Sequence, residues 1–157
     1  MRIFSLLASG GRTPFQSELF DEKSFYHQFL KDLSNTKEKV IIESPFVSSS
    51  RMDLLYPYFE KIISHSVKIS IVTRDPVEHD DEFMRNLSVN EILKCIDMGI
   101  NVTPLKGFHH RKLAIIDNKI LWEGSLNILS FSNSLEIMRR IEGEKEVSQM
   151  EAFLRNQ

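Results

Sequence analysis

The stretch of this chain whose residue types can do chemistry is His109-His110-Arg111-Lys112-Leu113-Ala114-Ile115-Ile116-Asp117, followed by Gly124-Ser125-Leu126-Asn127. Side chains on a strand alternate between faces, so His110 and Lys112 share one side while Arg111 and Leu113 share the other. A titratable imidazole and a fixed cation are thereby presented together. Lys112 offers positive charge to a phosphoryl oxygen, and Ser125 and Asn127 add neutral donors from the turn that follows. Such a set suits a phosphate-like anion. Asp117 stands an odd number of positions from Lys112 and faces away on a straight strand. It reads as a structural carboxylate for turn amides near Asn118-Lys119 or for a nearby cation. A catalytic imidazole works best when an acceptor orients its other nitrogen, and Glu136, polar within Leu135-Glu136-Ile137, is the candidate.

Alternating elements must hold these residues in place. Phe20, Phe25, Phe29, Leu30 and Leu33 recur at helical spacing and predict an amphipathic helix from about Ser17 to Ser34. The β-branched run Lys39 to Glu43 predicts a buried strand that stops at Ser44-Pro45. A second helix begins at Ser50, with Leu54, Leu55, Tyr58, Phe59, Ile62 and Ile63 inside and Pro57 threatening a kink. Val67 to Val72 alternates as a strand ending at Thr73-Arg74-Asp75-Pro76, and Val77 to Asp81 reads as an acidic loop. A third helix runs from about Ser88 to Met98, with Val89, Ile92, Leu93 and Ile96 on its inner face and Gly99 at its end. Ile100 to Leu105 is a further strand. Lys112 to Ile116 and Ile120 to Trp122 form a hairpin around Asp117-Asn118-Lys119, Ser134 to Ile141 reads as a last strand, and Glu144 to Leu154 as a terminal helix. The order implies an α/β fold with a mixed, mainly parallel sheet flanked by helices on both faces.

With 157 residues, 41% hydrophobic and 27% charged, the chain has the composition of one globular domain, taken as residues 1–157. A net charge of -2 supplies no global basic field, so contact with a polyanion depends on a local cluster. Cys95 is the single cysteine, which excludes an internal disulfide, disfavours a cysteine-built zinc site and fits a reducing compartment. The apolar run Ile3 to Ala8 is shorter than the roughly 7–15 residues of a signal-peptide core and reads as a strand or docking segment. No apolar stretch approaches the roughly 20 residues of a membrane span.

The motif resembles that of the phospholipase D superfamily, HxKxxxxD followed by GSxN. His110, Lys112 and Asp117 match its first part, and Gly124, Ser125 and Asn127 its second. His27 and His65 lack a lysine two positions on, so one copy is present. The chain is therefore similar to the short single-motif members, bacterial nucleases of the Nuc type. That resemblance implies a metal-independent phosphodiesterase without cofactor, cleaving DNA or RNA through a phosphohistidine in a site shared by a homodimer. The chemistry agrees with a shared site, because one histidine cannot serve as nucleophile and acid in a single step. A two-fold axis would supply the second His110. The resemblance also implies a cytoplasmic role, since the secretory signal of some relatives is missing. Glu136 follows Asn133 as NxxE where many relatives carry NxE.

Other positions are weighed beside their plainer readings. His109 and Arg111 add local positive character that favours a polyanionic substrate, although His109 alone reads as a solvated or packing histidine. Ser44 and Arg74 lie at C-terminal ends of predicted parallel strands, where α/β sheets place ligands. Arg74 reads equally as a surface ion pair with Asp75 or Glu78. His79-Asp80-Asp81-Glu82 reads as a solvated loop rather than a metal cluster. Phe46, Tyr56 and Tyr58 read as packing. Two other functions remain open: a phospholipase acting on lipid phosphodiesters, and a non-catalytic module that binds nucleic acid or a partner such as a helicase.

Overall fold

Seven strands form one sheet in the order β1-β7-β6-β5-β2-β3-β4 in the computed structural model, which describes residues 16–156. Strands are β1 (Gln16–Asp21), β2 (Lys39–Glu43), β3 (Lys68–Arg74), β4 (Asn101–Leu105), β5 (Leu113–Ile116), β6 (Ile120–Gly124) and β7 (Ile137–Glu142). Helices are α1 (Phe25–Ser34), α2 (Ser49–Ser64), α3 (Glu82–Asp97) and α4 (Glu144–Arg155), with a 3-10 turn at Pro76–Glu78. The segment from Ile3 to Ala8, expected as a strand or docking segment, lies outside the described residues.

The mixed α/β class stands, but the sheet is not mainly parallel. Only β2–β3 and β3–β4 run parallel, while β1–β7, β7–β6, β6–β5 and β5–β2 are antiparallel. Helical crossovers build the first half, whereas the hairpin at Asp117-Asn118-Lys119 reverses the chain and starts an antiparallel half. One face carries α1, α2 and the Cys95 side of α3 over Val40, Ile42, Ile69, Ile71 and Trp122. The other carries α4, whose Val147 packs on Leu113, Ile115 and Leu121. Phe25, Phe29 and Trp122 are fully buried, a gain of roughly 2–3 kcal/mol for each large side chain removed from water. The indole Nε1 of Trp122 donates to Asp32 (2.9 Å), which also accepts from Arg140 Nε (2.8 Å), so this buried polar trio is satisfied.

The first half of the expected first helix is a strand. Leu19 is exposed while Phe20 packs at a tilt against Trp122, ring centroids 5.0 Å apart, the alternation of a strand, and β1 pairs along β7. Asp21 ends it by accepting from the amides of Lys23 and Ser24, and α1 starts at Phe25. The helix α2 runs through Pro57, which lies on its exposed side, where the missing N–H costs least.

Helix α3 starts six residues before its expected boundary, with Asp81 as N-cap accepting from Phe83 N (2.7 Å). It is also rotated from the expected face. Ser88, Glu91, Ile92 and Cys95 are buried, whereas Val89, Leu93 and Ile96 are exposed. Glu91 is 1% exposed because α2 and α3 give it partners: Ser49 Oγ (2.9 Å), the Tyr56 hydroxyl and Lys94 Nζ (2.8 Å). The strand β4 is an edge of the sheet, and Pro104 stands in it opposite Thr73.

Candidate active site

The C-terminal ends of β2 and β3, the 106–112 loop after β4, the end of β6 and the start of β7 meet at one edge of the sheet. Register fixes this meeting: Glu43 lies opposite Leu113, Leu113 opposite Glu123, and Gly124 opposite Met138. Arg74 lies opposite Leu105 at the end of the parallel half.

His110 and Lys112 lie in the extended segment just before β5, and their side chains meet. Lys112 Nζ sits 3.0 Å from His110 Nδ1 and 3.3 Å from Nε2, and donates to the His110 carbonyl at 3.0 Å. The Lys112 charge, with burial and the Arg74 charge behind it, holds the His110 imidazole below the usual histidine value. The ring is therefore predominantly neutral near pH 7, as a nucleophile must be. Lys112 is itself lowered, by burial and Arg74, against the opposing pull of Glu136.

Ser125 and Glu136 form a second pair across the ends of β6 and β7. The Ser125 hydroxyl donates to Glu136 Oε2, Ser134 Oγ donates to Oε1 (2.5 Å), and the Ile137 amide donates to Ser125 Oγ (3.1 Å). Burial pushes the Glu136 carboxyl up, but these hydroxyl hydrogen bonds and the Lys112 charge outweigh it and hold it below the usual range. The expectation that Glu136 orients the His110 ring is corrected within the chain. Its side-chain hydrogen bonds go to Ser125 and Ser134, while both ring nitrogens of His110 face Lys112. Ser134, within the NxxE segment, shares the carboxylate. Asn127 Oδ1 is buried without a hydrogen-bond partner among the described residues, an acceptor left open at the end of the GSxN turn.

Four other expected site residues have structural work. Gly124 has no room for a side chain, because a Cβ there would lie 2.1 Å from the Ile137 carbonyl oxygen and 2.9 Å from Met138 Cα. Asp117 is turned away from the imidazole and binds the turn before β2, accepting from the amides of Lys37 (3.1 Å), Glu38 (2.8 Å) and Lys39 (3.1 Å). Ser44 does not line a groove: it is fully buried, donates to the Phe46 carbonyl (3.1 Å) and accepts from Leu129 N (3.2 Å). Arg111 is tied to the fold, since its Nε donates to Glu43 Oε2 at 2.6 Å.

Glu43 is 4% exposed, and burial raises its carboxyl despite the Arg111 charge and hydrogen bond. His109 is buried beside it, and its Nε2, 3.6 Å from Glu43 Oε2, has no hydrogen-bond partner among the described residues. Burial first, then the charges of Arg111 and Arg74, lower the His109 imidazole to about 4, so it is neutral at pH 7. His79 is also buried, against Phe46 and within 3.3 Å of Ser88 Oγ, contrary to the solvated reading of its loop. The neighbouring Asp80, Asp81 and Glu82 are exposed.

Arg74 reaches into the site instead of pairing with Asp75 or Glu78. Its Nε donates to the His109 carbonyl (3.3 Å) and its guanidinium lies over the Phe46 ring (4.8 Å). Phe46 in turn meets the His110 ring edge to face at 6.5 Å. Sequence reasoning missed two neighbours. Phe108 projects beside Arg74, and Arg51 lies 3.6 Å over Tyr26 in a groove of about 460 Å³ that Ser132, Ser134 and Glu136 also line. An arginine opening a helix gives no periodic signal, and Phe108 was hidden in a loop that had no assigned role. A second open groove, about 500 Å³, runs from His110 and Lys112 to Met150, Phe153 and Leu154 of α4.

The arrangement is one neutral imidazole backed by an ammonium and a guanidinium, able to attack a phosphoryl centre or to take a proton from a water that does. Residues 29–156 match the family model described as cardiolipin synthase, PLD-like domain. The chain belongs to this phospholipase D-like family. Among solved structures it is similar to NucT from Helicobacter pylori, with 19% identity over 90% of this chain and 94% of that one and a TM-score of 0.72. Nuc from Salmonella typhimurium, a phospholipase D family member, has 16% identity over 90% and 93%, with a TM-score of 0.70. Phosphatidylserine synthase from Haemophilus influenzae Rd KW20 has 13% identity over 94% of this chain and 40% of that one, with a TM-score of 0.67. No curated protein matches the chain. No helix among the described residues is long and apolar enough to cross a membrane.

Proposed function

We propose that this protein is a metal-independent endonuclease that cleaves DNA or RNA through a phosphohistidine, in a site shared by two copies of the chain. The observation that carries the reading is the isolation of His110. Among the described residues it is the one exposed imidazole at this end of the sheet, because His79 and His109 are both buried. In the first step neutral His110 forms an N–P bond while the P–O bond to the leaving oxygen breaks, and the protonated His110 of the second copy gives that oxygen its proton. In the second step water attacks phosphorus, loses a proton to the second copy's His110 and breaks the N–P bond. Both copies thereby return to their starting charge. Lys112 and Arg74 neutralise the phosphoryl oxygens, and Ser125 and Asn127 border them. Two identical histidines can differ in protonation because close sites titrate as a coupled pair.

The test is cleavage of labelled single- and double-stranded DNA and of RNA in EDTA by wild type, by His110→Ala and by mixtures of the two, with mass measured in parallel. A dimer that loses activity in His110→Ala, and whose mixed activity falls as the square of the wild-type fraction, supports the reading. Cleavage by a monomer, or by His110→Ala, overturns it. A second reading, hydrolysis of a lipid phosphodiester, is favoured by the apolar wall that Met150, Phe153 and Leu154 give the groove at His110. Headgroup release from phospholipid vesicles without cleavage of nucleic acid would select it.

A further inference from the structure

Phe108 stands beside His110 in a conformation that large side chains rarely adopt. Its φ is +56°, its side chain is 70% exposed, and it follows Gly107 at φ +93°. Neither value is accidental to a slack loop, because the Glu78 carboxylate grips both residues, accepting from Gly107 N at 2.6 Å and Phe108 N at 2.9 Å. A bulky residue held in the left-handed region is strained and persists only where its surroundings impose it. Burial does not repay this one, since most of the ring lies in water.

The ring has company on one side only. The Arg74 guanidinium carbon lies 5.8 Å from the Phe108 centroid and 4.8 Å from that of Phe46, so the cation lies near both rings. Phe46 then contacts the His110 imidazole. From Phe108 to His110 the groups therefore run aromatic, cation, aromatic, nucleophile.

We propose that Phe108 is a stacking platform for an unpaired nucleobase of the nucleotide next to the scissile phosphate, with Arg74 between that base and the reacting centre. The inference rests on the nuclease reading and gives it a strandedness. A base in a duplex has both faces covered by its neighbours, whereas a base in a single strand can lay one face on Phe108. An exposed ring could instead enter a lipid surface, but here insertion would carry the neighbouring Arg74 guanidinium toward hydrocarbon, which is unfavourable.

The test compares a 12-residue oligothymidylate with a strand of equal phosphate number built mainly of abasic units, using wild type, Phe108→Ala and Phe108→Trp. Cleavage is expressed as the ratio of kcat/KM for the two strands. Binding of each strand is measured by fluorescence anisotropy in the His110→Ala background. Phe108→Ala should lower the base-bearing to abasic ratio about tenfold in both assays, and Phe108→Trp should restore it. Duplex of matching sequence should bind like the abasic strand. If no strand is cleaved, the nuclease reading fails while the binding ratio still decides the platform. An unchanged ratio in Phe108→Ala, or no binding of either strand, overturns the platform. So does a Phe108→Ala defect confined to binding of phosphatidylglycerol vesicles. Thermal melting of each variant checks folding, which an exposed ring should scarcely affect.

Discussion

Asp117 belongs to the matching motif but touches none of its other side chains, so its replacement separates architecture from chemistry. In Asp117→Ala the amides of Lys37, Glu38 and Lys39 lose their acceptor. The first two are exposed and can turn to water, so each contributes about 0.5–1 kcal/mol, whereas the half-buried Lys39 amide contributes about 2 kcal/mol. Asp117 also has φ +52°, which aspartate and asparagine tolerate and alanine does not, adding about 1 kcal/mol. The sum is about 4 kcal/mol, and for a chain of this size about 2–4 °C per kcal/mol gives a fall in Tm of roughly 8–16 °C. Asp117→Asn keeps one oxygen and the backbone geometry, so it should lose about 1 kcal/mol, or roughly 2–4 °C. Scanning calorimetry and turnover of bis(4-nitrophenyl) phosphate at 15 °C, well below either transition, are the assays. kcat per folded molecule should stay within about twofold of wild type. An Asp117→Ala protein with unchanged Tm and abolished kcat would refute the assignment and place this carboxylate in the reaction.

Gly124→Ala drives a methyl group into the Ile137 carbonyl and should cost about 3 kcal/mol by separating β6 from β7, seen as a lower denaturant midpoint together with lost activity, since Ser125 and Glu136 flank the breach. Arg111→Met leaves the Glu43 carboxylate buried without its cation and should destabilise by roughly 3–5 kcal/mol, while Arg111→Met with Glu43→Gln should recover most of that in urea unfolding. The acid limb of kcat/KM should fall below the ordinary histidine value, because the neighbouring cations make His110 lose its proton at lower pH than a free histidine. Arg74→Gln removes one of those cations, so His110 holds its proton to higher pH and the limb moves up. An NMR titration of the His110 ring checks the sign.

The expected elements that survived are those whose signal is local. The runs at β2, β3 and β5, the hairpin at Asp117 and the terminal helix announced themselves through periodicity and turn chemistry. What failed depended on partners distant in sequence. Gln16 to Asp21 carries a pattern that fits part of a helix, and it becomes a strand because β7 offers it a ladder and Trp122 a place for Phe20. Glu91 enters the interior because Ser49 and Tyr56 on α2 receive it, which turns Val89 and Leu93 outward. In the site, spacing sufficed to pair His110 with Lys112. It could not reveal that Arg111 would turn to Glu43, that Ser134 would share the Glu136 carboxylate, or that Glu78 would set the direction of Phe108.

Pro104 bears on how this molecule meets copies of itself. In β4 the Leu105 carbonyl faces inward to the Asp75 amide, so the alternating backbone turns the Pro104 nitrogen toward open solvent. An incoming strand seeking to lengthen the sheet would find a ring where it needs an N–H, one of the ways natural sheets keep their edges from recruiting neighbours. Fibre-like growth is therefore discouraged along β4, and two copies that associate must do so through side chains rather than by joining their sheets at that edge.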